Sequence, residues 1–184
     1  MDIKKIIRKK YLIKRKKKYF DVKQKFFFPL INILKKKFKN KRIFVSIYYP
    51  SFYEVNVLKI LGIEQFRKCQ FLLPVIESKG TMNFYQWKQE DILYVNKFGI
   101  LEPSKSKKFD PDVILVPMLA FDDKRNRLGY GKGFYDRYLA KNIKSYKKIL
   151  TVGVAFSFQK YHKLPVNSND IKLDYILTEK GISK

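Results

Sequence analysis

The chain has 184 residues, which is the length of a single domain built on one substantial core. It contains no run of about 18 apolar residues, which excludes a transmembrane helix, and its single cysteine excludes an intramolecular disulfide and a cysteine-based metal site. The N-terminal residues mix basic and apolar types and lack the continuous apolar segment of a secretory signal. We therefore expect a reducing, cytoplasmic location and a buried, inert Cys69.

The net charge of +25 at pH 7 comes from 41 lysines and arginines against 16 aspartates and glutamates. Such a charge can indicate a nucleic-acid or anionic-membrane ligand. Lysine, however, far outnumbers arginine and is abundant together with isoleucine, phenylalanine, tyrosine and asparagine, which share AT-rich codons. We interpret the charge as solvated lysine faces and expect no specific nucleic acid and no membrane as partners. The dense patch Lys14–Lys18 keeps open a salt-dependent, nonspecific binding of polyanions.

The N-terminal segment predicts a helix over residues 3–18, because apolar residues recur there at helical spacing and the other positions are basic. Lys4 and Arg8 lie four residues apart, so both side chains project from one face of this helix. From the spacing alone, a solvated basic face is the simplest interpretation of the pair.

The next elements are a second helix, a strand and a short helix. Residues 21–37 predict a helix that is capped by Asp21 and interrupted or kinked at Pro29. Residues 42–49 are rich in β-branched and aromatic types and predict the first central strand. Residues 55–61 then predict a short helix.

Glu54 stands at the carboxyl end of the first strand, where ligands of open α/β sheets bind. A carboxylate at the N-terminus of the short helix, favoured by the helix dipole, is an equally good interpretation of this residue. Residues 71–76 predict a second core strand, although Pro74 argues against an ordinary central position. The alternating aromatic pattern of residues 82–87 predicts an antiparallel strand or flap, with core packing favoured over a ring-binding wall.

Three further apolar segments, residues 112–117, 149–155 and 174–178, predict strands, of which the last closes the sheet. Their continuous apolar character is typical of a parallel sheet that is covered on both faces. We predict an α/β fold: a single three-layer αβα domain over residues 1–184, with a mostly parallel central sheet and a small antiparallel flap. We expect a monomer.

A glycine-rich segment follows the strand at residues 112–117. Glycines stand at alternate positions, Gly129, Gly131 and Gly133, and a helical pattern begins at Phe134. A strand, a glycine loop and a helix together form an anion cradle, since the backbone can approach a phosphate and the N–H groups of the helix start point at it. The spacing is neither the Walker motif nor the Rossmann G-x-G-x-x-G. On spacing alone, a glycine turn without a ligand is as good an interpretation.

Charged residues within this segment fit a phosphate ligand. Lys132 lies inside the loop and Arg127 precedes it, so both add positive charge. Asp136 stands at the start of the helix, and a carboxylate beside phosphates is the ligand set that Mg²⁺ prefers.

Residues 116–122 and 127–136, Val-Pro-Met-Leu-Ala-Phe-Asp and Arg-Leu-Gly-Tyr-Gly-Lys-Gly-Phe-Tyr-Asp, closely resemble the C-terminal motif of the 5-formyltetrahydrofolate cyclo-ligases, also called methenyltetrahydrofolate synthetases. A Phe/Tyr-Gly-Ile-x-Glu-Pro segment at 94–103 and a Pro-x-x-x-x-Asp string at 165–170 also resemble that family. The resemblance extends from Lys4 to Asp174.

The resemblance implies an enzyme of one-carbon folate metabolism. Such an enzyme would cyclise 5-formyltetrahydrofolate to 5,10-methenyltetrahydrofolate, with ATP as co-substrate and Mg²⁺ as cofactor. The γ-phosphoryl group would activate the formyl oxygen as a leaving group, and ADP and phosphate would be released. The expected partners are therefore a reduced folate and ATP.

The resemblance also implies residue roles. The ATP-binding set combines the Lys-x-x-x-Arg pair of the N-terminal helix with the glycine loop: Lys4, Arg8, Arg127, Leu128, Gly129, Tyr130, Gly131, Lys132, Gly133, Phe134 and Tyr135. The folate-binding set is Glu54, Tyr130, Gly131, Lys132, Gly133 and Phe134. Lys132 and Arg127 are the implied catalytic charges, and Asp136 and Asp170 the implied Mg²⁺ ligands. The match around Glu54 departs from the family pattern at Asn56 and Val57.

Two alternatives remain at this stage. A nonenzymatic, basic nucleic-acid-binding protein would explain the charge but would leave the glycine loop without a role. Another phosphate-binding α/β enzyme, such as a sugar-phosphate isomerase, would use the loop without ATP turnover.

Overall fold

A seven-stranded sheet organises the chain in a computed structural model, which describes residues 2–39, 41–77, 80–142 and 148–184. Within these residues the α-helices are α1 (Ile3–Lys18), α2 (Phe28–Phe38) and α3 (Phe134–Asn142). The strands are β1 (Phe44–Ser46), β2 (Gln70–Ile76), β3 (Met82–Gln86), β4 (Leu93–Val95), β5 (Leu101–Pro103), β6 (Val113–Pro117), β7 (Ala120–Phe121), β8 (Arg127–Leu128), β9 (Leu150–Val154), β10 (Tyr175–Thr178) and β11 (Gly181–Ser183). None of the helices in these ranges is long and apolar enough to cross a membrane.

The large sheet has the strand order β11-β10-β9-β6-β1-β2-β3. Its five inner strands are parallel, and the two edge strands β3 and β11 pair antiparallel with their neighbours. The strands β4 and β5 form a separate antiparallel pair, as do β7 and β8. The predicted fold class, a mostly parallel sheet with small antiparallel additions, is confirmed.

Side chains of β6 alternate between two core clusters, one on each face of the sheet. Val113 and Leu115 pack with the buried side chains of α2, whereas Ile114 and Val116 pack with those of α3. Successive residues of a strand point to opposite faces, so helices cover both sides. This double cover explains why β6 is apolar at every position rather than at alternate ones.

A third apolar cluster fixes helix α1. Ile7 and Tyr11 are buried against Leu119, Leu128 and Leu164, which lie in the connections beyond the strand ends. The Tyr11 hydroxyl also donates to the carbonyl of Lys160 at 2.8 Å. This packing sets which face of α1 is turned towards the glycine loop.

The predicted second helix is wrong at its start. Asp21 caps no helix; its carboxylate forms an ion pair with Lys59 at 2.9 Å. Residues Gln24–Phe27 form a 3-10 turn, and α2 begins at Phe28 with Pro29 in its first turn. Proline is compatible with that position because the N–H it lacks has no partner inside the helix.

Two other predictions required correction. The short helix after Glu54 is a 3-10 helix over Val57–Gly62, and its N-cap is Asn56, whose side chain accepts from the Leu58 N–H. The sheet is closed by β11 rather than by β10, because the chain turns back at Gly181, whose φ of +118° is readily adopted only by glycine.

Pro74 lies within β2, between two neighbouring strands, despite the objection raised by its missing N–H. The pairing of β2 with β1 ends at Leu72, so Pro74 lies beyond the paired part on that side. On the other side, β3 pairs with β2 along its length, with Pro74 opposite Phe84. The alternation of the β2–β3 ladder directs the Pro74 nitrogen away from β3, where no donor is required.

Gly153 in β9 provides a test of the packing. A Cβ atom at this position would lie 2.7 Å from Leu173 Cδ1 and 2.8 Å from Ile176 Cδ1, and would overlap Met118 Cε as well. We expect Gly153→Ala to lower the free energy of unfolding by about 1–3 kcal/mol, as overpacked cores do. Urea-induced unfolding measures the change.

Gly129→Ala is the matched control, since among the described residues no heavy atom lies within 4 Å of a Cβ built there. Equal unfolding midpoints for the two variants would contradict the packing described around β9.

Candidate active site

A cavity of about 890 Å³ opens at the carboxyl ends of the parallel strands. Its walls come from α1, the turn after β1, the β4–β5 hairpin, the glycine loop with the start of α3, and the loop before β10. Every residue that the resemblance implicates lines it: Lys4, Arg8, Glu54, Arg127, Leu128, Gly129, Tyr130, Gly131, Lys132, Gly133, Phe134, Tyr135, Asp136 and Asp170. The fold therefore collects at one place residues from both ends of the chain, as expected for an open α/β sheet.

The glycine loop is shaped by two arginines that lie outside it. Arg8 Nε donates to the Gly129 carbonyl at 3.0 Å, and Arg137 Nη1 donates to the Lys132 carbonyl at 2.8 Å. Gly131 has a φ of +95°, and a Cβ atom there would lie 3.1 Å from the Arg8 guanidinium carbon. Glycine at 131 therefore serves both the backbone conformation and the close approach of Arg8.

Helix α1 presents its cations to the cavity. Lys4 Nζ lies 2.6 Å from Asp170 Oδ2, and the helix begins at an Asp2 N-cap that accepts from the Lys4 N–H at 2.9 Å. Lys4 and Arg8 therefore do more than form the solvated basic face that their spacing alone suggests.

Arg127 is buried, and two of its three guanidinium nitrogens are bonded to other parts of the protein. Its Nη2 lies 2.7 Å from Asp136 Oδ1, and its Nη1 donates to the Ile171 carbonyl at 2.7 Å. Burial lowers the pKa of Arg127, and the adjacent Asp136 carboxylate opposes that shift. The guanidinium thus joins the start of α3 to the loop that carries Asp170.

The two carboxylates implied as metal ligands line the same cavity, and in each of them one oxygen accepts hydrogen bonds from the protein. Asp136 Oδ1 accepts from Arg127 and from the Ile171 N–H, and Asp170 Oδ2 accepts from Lys4 and from the Asn167 N–H. The other oxygen of each carboxylate makes no hydrogen bond within the described ranges. Within those ranges, no three acidic, histidine or cysteine side chains form a metal-binding cluster.

Glu54 is buried and accepts three hydrogen bonds. Its Oε2 accepts from the Ser51 N–H at 2.9 Å and from Ser51 Oγ at 3.3 Å, and its Oε1 accepts from the Tyr130 hydroxyl at 2.8 Å. Burial raises the pKa of Glu54, while the nearby Arg15 charge and these hydrogen bonds oppose the rise. Because Asn56 caps the following helix, the dipole interpretation of Glu54 is wrong.

Arg15 is the residue that sequence reasoning missed. It was counted within the basic patch Lys14–Lys18, yet its side chain is only 1% exposed. It donates to the Phe52 carbonyl at 2.9 Å, to the Met118 carbonyl at 3.1 Å and to the Tyr130 hydroxyl. The signal was its spacing, since Ile7, Tyr11 and Arg15 follow one another at intervals of four on the buried face of α1.

Lys132 is exposed and lies near an aromatic ring. Its ammonium lies 5.5 Å from the centroid of Phe98, and that ring lies 5.7 Å from the ring of Phe134. No carboxylate within the described ranges pairs with Lys132, in contrast to Lys4 and Arg127. Its charge is therefore available to an anionic ligand.

Comparison with known proteins supports a common origin for this arrangement. A sequence model of the 5-formyltetrahydrofolate cyclo-ligase family matches residues 4–179. The 5-formyltetrahydrofolate cyclo-ligase of Haemophilus influenzae is 30% identical over 140 residues, which are 72% of this chain and 74% of that protein. The Escherichia coli protein of that name is 37% identical over 113 residues, 58% of this chain and 61% of the relative.

A solved structure agrees with the sequence comparisons. The Aquifex aeolicus 5,10-methenyltetrahydrofolate synthetase superposes with a TM-score of 0.74 at 33% identity, covering 98% of this chain and 91% of the other. Its similarity spans the sheet, the glycine loop and the flanking helices together, since nearly the whole chain is covered. The chain belongs to the 5-formyltetrahydrofolate cyclo-ligase family.

Proposed function

We propose that the chain cyclises 5-formyltetrahydrofolate to 5,10-methenyltetrahydrofolate, with ATP converted to ADP and phosphate. Family membership supports the reaction. The observation that carries the proposal is that one cavity brings together the glycine loop, the buried Glu54, a lysine that has no carboxylate partner in the described ranges, and two aspartates that each keep one oxygen without a hydrogen bond there. A sugar-phosphate isomerase is disfavoured by the family assignment.

The chemical difficulty lies in the formyl group, which is a resonance-stabilised amide and a poor electrophile. Transfer of the γ-phosphoryl group of ATP to the formyl oxygen converts that oxygen into a leaving group. N10 of the same folate then forms a bond to the formyl carbon, the carbon–oxygen bond breaks, and phosphate departs with the electron pair. N10 loses its proton to water, and the N5–C–N10 bridge of the product carries the positive charge.

The protein's contribution to this route is positioning and charge neutralisation, as in phosphoryl transfer generally. Lys132 is placed to neutralise the transferred phosphoryl group, because its ammonium is free of a carboxylate partner within the described ranges. Lys4 and Arg8 lie on the α1 side of the cavity, where they can contact the rest of the triphosphate. Arg127 holds the loops in place, since its Nη1 and Nη2 donate to the Ile171 carbonyl and to Asp136.

The donor set fits Mg²⁺. Asp136 and Asp170 each retain one oxygen without a hydrogen bond in the described part of the chain, and Mg²⁺ in nucleotide sites takes one or two carboxylates together with substrate phosphates. Bound there, the ion would neutralise negative charge on the phosphates. Lys4 and Arg127 hold the two carboxylates in position by ion pairs on their other oxygens.

Glu54 supports the folate end of the proposal. The oxygens of a buried carboxyl group accept hydrogen bonds from ring N–H and amino groups, which a reduced pterin provides. No protein acid or base is required by the route. The sole histidine, His162, is exposed and does not line the cavity.

The reaction itself is the first test. Purified protein mixed with 5-formyltetrahydrofolate and Mg·ATP is expected to form methenyltetrahydrofolate, detected by its absorbance, and to form none when ATP is omitted. A folded protein that binds ATP but forms no product would contradict the folate assignment.

Lys132→Ala tests the phosphoryl-binding role. We expect kcat/KM for ATP to fall roughly 10- to 100-fold, because a charge-assisted contact to phosphate is lost without damage to the fold. Steady-state rates at varied ATP measure the effect. Lys141→Ala is the matched control, since Lys141 is an exposed lysine of α3 that does not line the cavity. An equal fall of kcat/KM in the two variants would show that the effect comes from the overall positive charge and not from a contact of Lys132 with phosphate.

Asp136→Asn and Asp170→Asn test the metal site. Each change is expected to raise the Mg²⁺ concentration for half-maximal rate about 10-fold or more, because one anionic ligand is lost. Asp123→Asn, which removes an exposed carboxylate paired with Lys160, is expected to leave the Mg²⁺ dependence unchanged. Wild-type Mg²⁺ dependence in both site variants would exclude these carboxylates as ligands.

A further inference from the structure

The buried guanidinium of Arg15 lies next to residues of the cavity, and the proposed route gives it no role. Its neighbours Lys16, Lys17 and Lys18 are exposed, whereas Arg15 lies inside the protein and uses all three of its nitrogens as donors. The acceptors are neutral oxygens: two carbonyls and a hydroxyl. Burial of a charge is costly unless it is compensated, so the position calls for an explanation.

The first partner of Arg15 lies in a strained turn. Phe52 and Tyr53 are consecutive non-glycine residues with φ of +47° and +62°, in the left-handed region. Such residues cost energy and persist where the surrounding structure holds them. Arg15 Nε holds the Phe52 carbonyl at 2.9 Å, and the turn closes with the Glu54 N–H on the Ser51 carbonyl at 2.9 Å. The strained turn thereby brings Glu54 into the cavity.

The second partner of Arg15 is the Tyr130 hydroxyl, and the direction of that contact is fixed. A guanidinium only donates, so the Tyr130 oxygen accepts from Arg15 and gives its own proton to Glu54 Oε1, 2.8 Å away. The Arg15 guanidinium carbon also lies 5.6 Å from the centroid of the Tyr130 ring. Two hydrogen bonds, which meet at the Tyr130 hydroxyl, therefore connect the Arg15 guanidinium to the Glu54 carboxylate that balances its charge.

We propose that Arg15 is a positioning residue that sets the affinity of the cavity for the folate, by holding the Phe52 carbonyl and the Tyr130 hydroxyl and, through Tyr130, the Glu54 carboxylate. The inference rests on the proposed function. Arg15 does not line the cavity, whereas Phe52, Tyr130 and Glu54 do. Arg15 therefore acts through those three residues and makes no contact with substrate.

The effect is expected to be selective for one substrate. The hydrogen bonds of Arg15 reach the strained turn, the end of β6 and Tyr130, and none of them reaches Lys4, Arg8, Lys132 or the two aspartates. Loss of Arg15 should therefore weaken folate binding far more than ATP binding, although Tyr130 also belongs to the ATP-binding set that the resemblance implies. A residue that served only to stabilise the fold would not discriminate between the two ligands.

The test is the dissociation constant of 5-formyltetrahydrofolate, measured without ATP by titration calorimetry. Arg15→Met keeps the length of the side chain but removes the charge and all donors. We expect the folate constant to rise roughly 10- to 100-fold, which is the range for a lost hydrogen-bond network to a charged group, and the ATP constant to stay within about twofold. Arg15→Lys keeps the charge with fewer placed donors and is expected to lie between wild type and Arg15→Met.

Lys14→Met is the matched control. Lys14 is the preceding residue of α1, and its ammonium donates to the Phe158 carbonyl outside the cavity. Its loss removes the same charge from the same helix, so the folate constant should not change. If the unfolding midpoint shows that Arg15→Met does not fold, the folate dissociation constant of Arg15→Lys is compared with that of Lys14→Met instead.

A double-mutant cycle tests the connection through Tyr130. If Arg15 acts through the hydroxyl, the combined Arg15→Met and Tyr130→Phe variant should weaken folate binding by clearly less than the product of the two single effects. If the double variant weakens folate binding by the full product of the two single effects, or if folate and ATP affinity fall equally, the inference is overturned. The proposed reaction is not affected by either result. A wild-type protein that binds no folate would overturn both.

Discussion

The packing of helix α1 against the connections beyond the strand ends is the interaction on which the rest of the site depends. Its apolar residues Ile7 and Tyr11 are buried there, and this contact brings its cations to partners far along the chain. Arg8 bonds to a carbonyl 121 residues away, Arg15 to a hydroxyl 115 residues away, and Lys4 to a carboxylate 166 residues away. The connections beyond the strand ends of the sheet form most of the cavity, and α1 adds the wall that carries Lys4 and Arg8.

Charge in this protein is organised differently inside and outside the cavity. Most of the excess lysine covers solvated faces, as its abundance suggested. Inside, two cations are paired with carboxylates, Lys4 with Asp170 and Arg127 with Asp136, whereas Arg8 and Arg137 donate to backbone carbonyls of the glycine loop. Lys132 has no carboxylate partner within the described ranges, so its charge is available to an anionic ligand.

Local pattern was sufficient for most of the fold, whereas the resemblance to the family, and not local pattern, indicated cavity residues such as Lys4, Glu54 and Asp170. The apolar character of the central strands predicted them, and the spacing of the glycines beside Lys132 predicted the glycine loop. What failed depended on tertiary contacts: Asp21 binds Lys59 instead of capping a helix, and β11 exists because Gly181 reverses the chain. The burial of Arg15 could not be predicted from its charge, because the neighbouring lysines carry the same charge and are exposed. Only its spacing of four residues from Tyr11 indicated that it lies on the buried face of α1.

The space between Gly131 and Arg8 links two segments that are distant in sequence. Any side chain at position 131 would press on the Arg8 guanidinium, which in turn holds the Gly129 carbonyl. The residues of the loop and of the N-terminal helix therefore constrain each other. A chimera that exchanged the glycine loop between relatives, while retaining the original helix, would bring together two surfaces that had not been selected to fit each other.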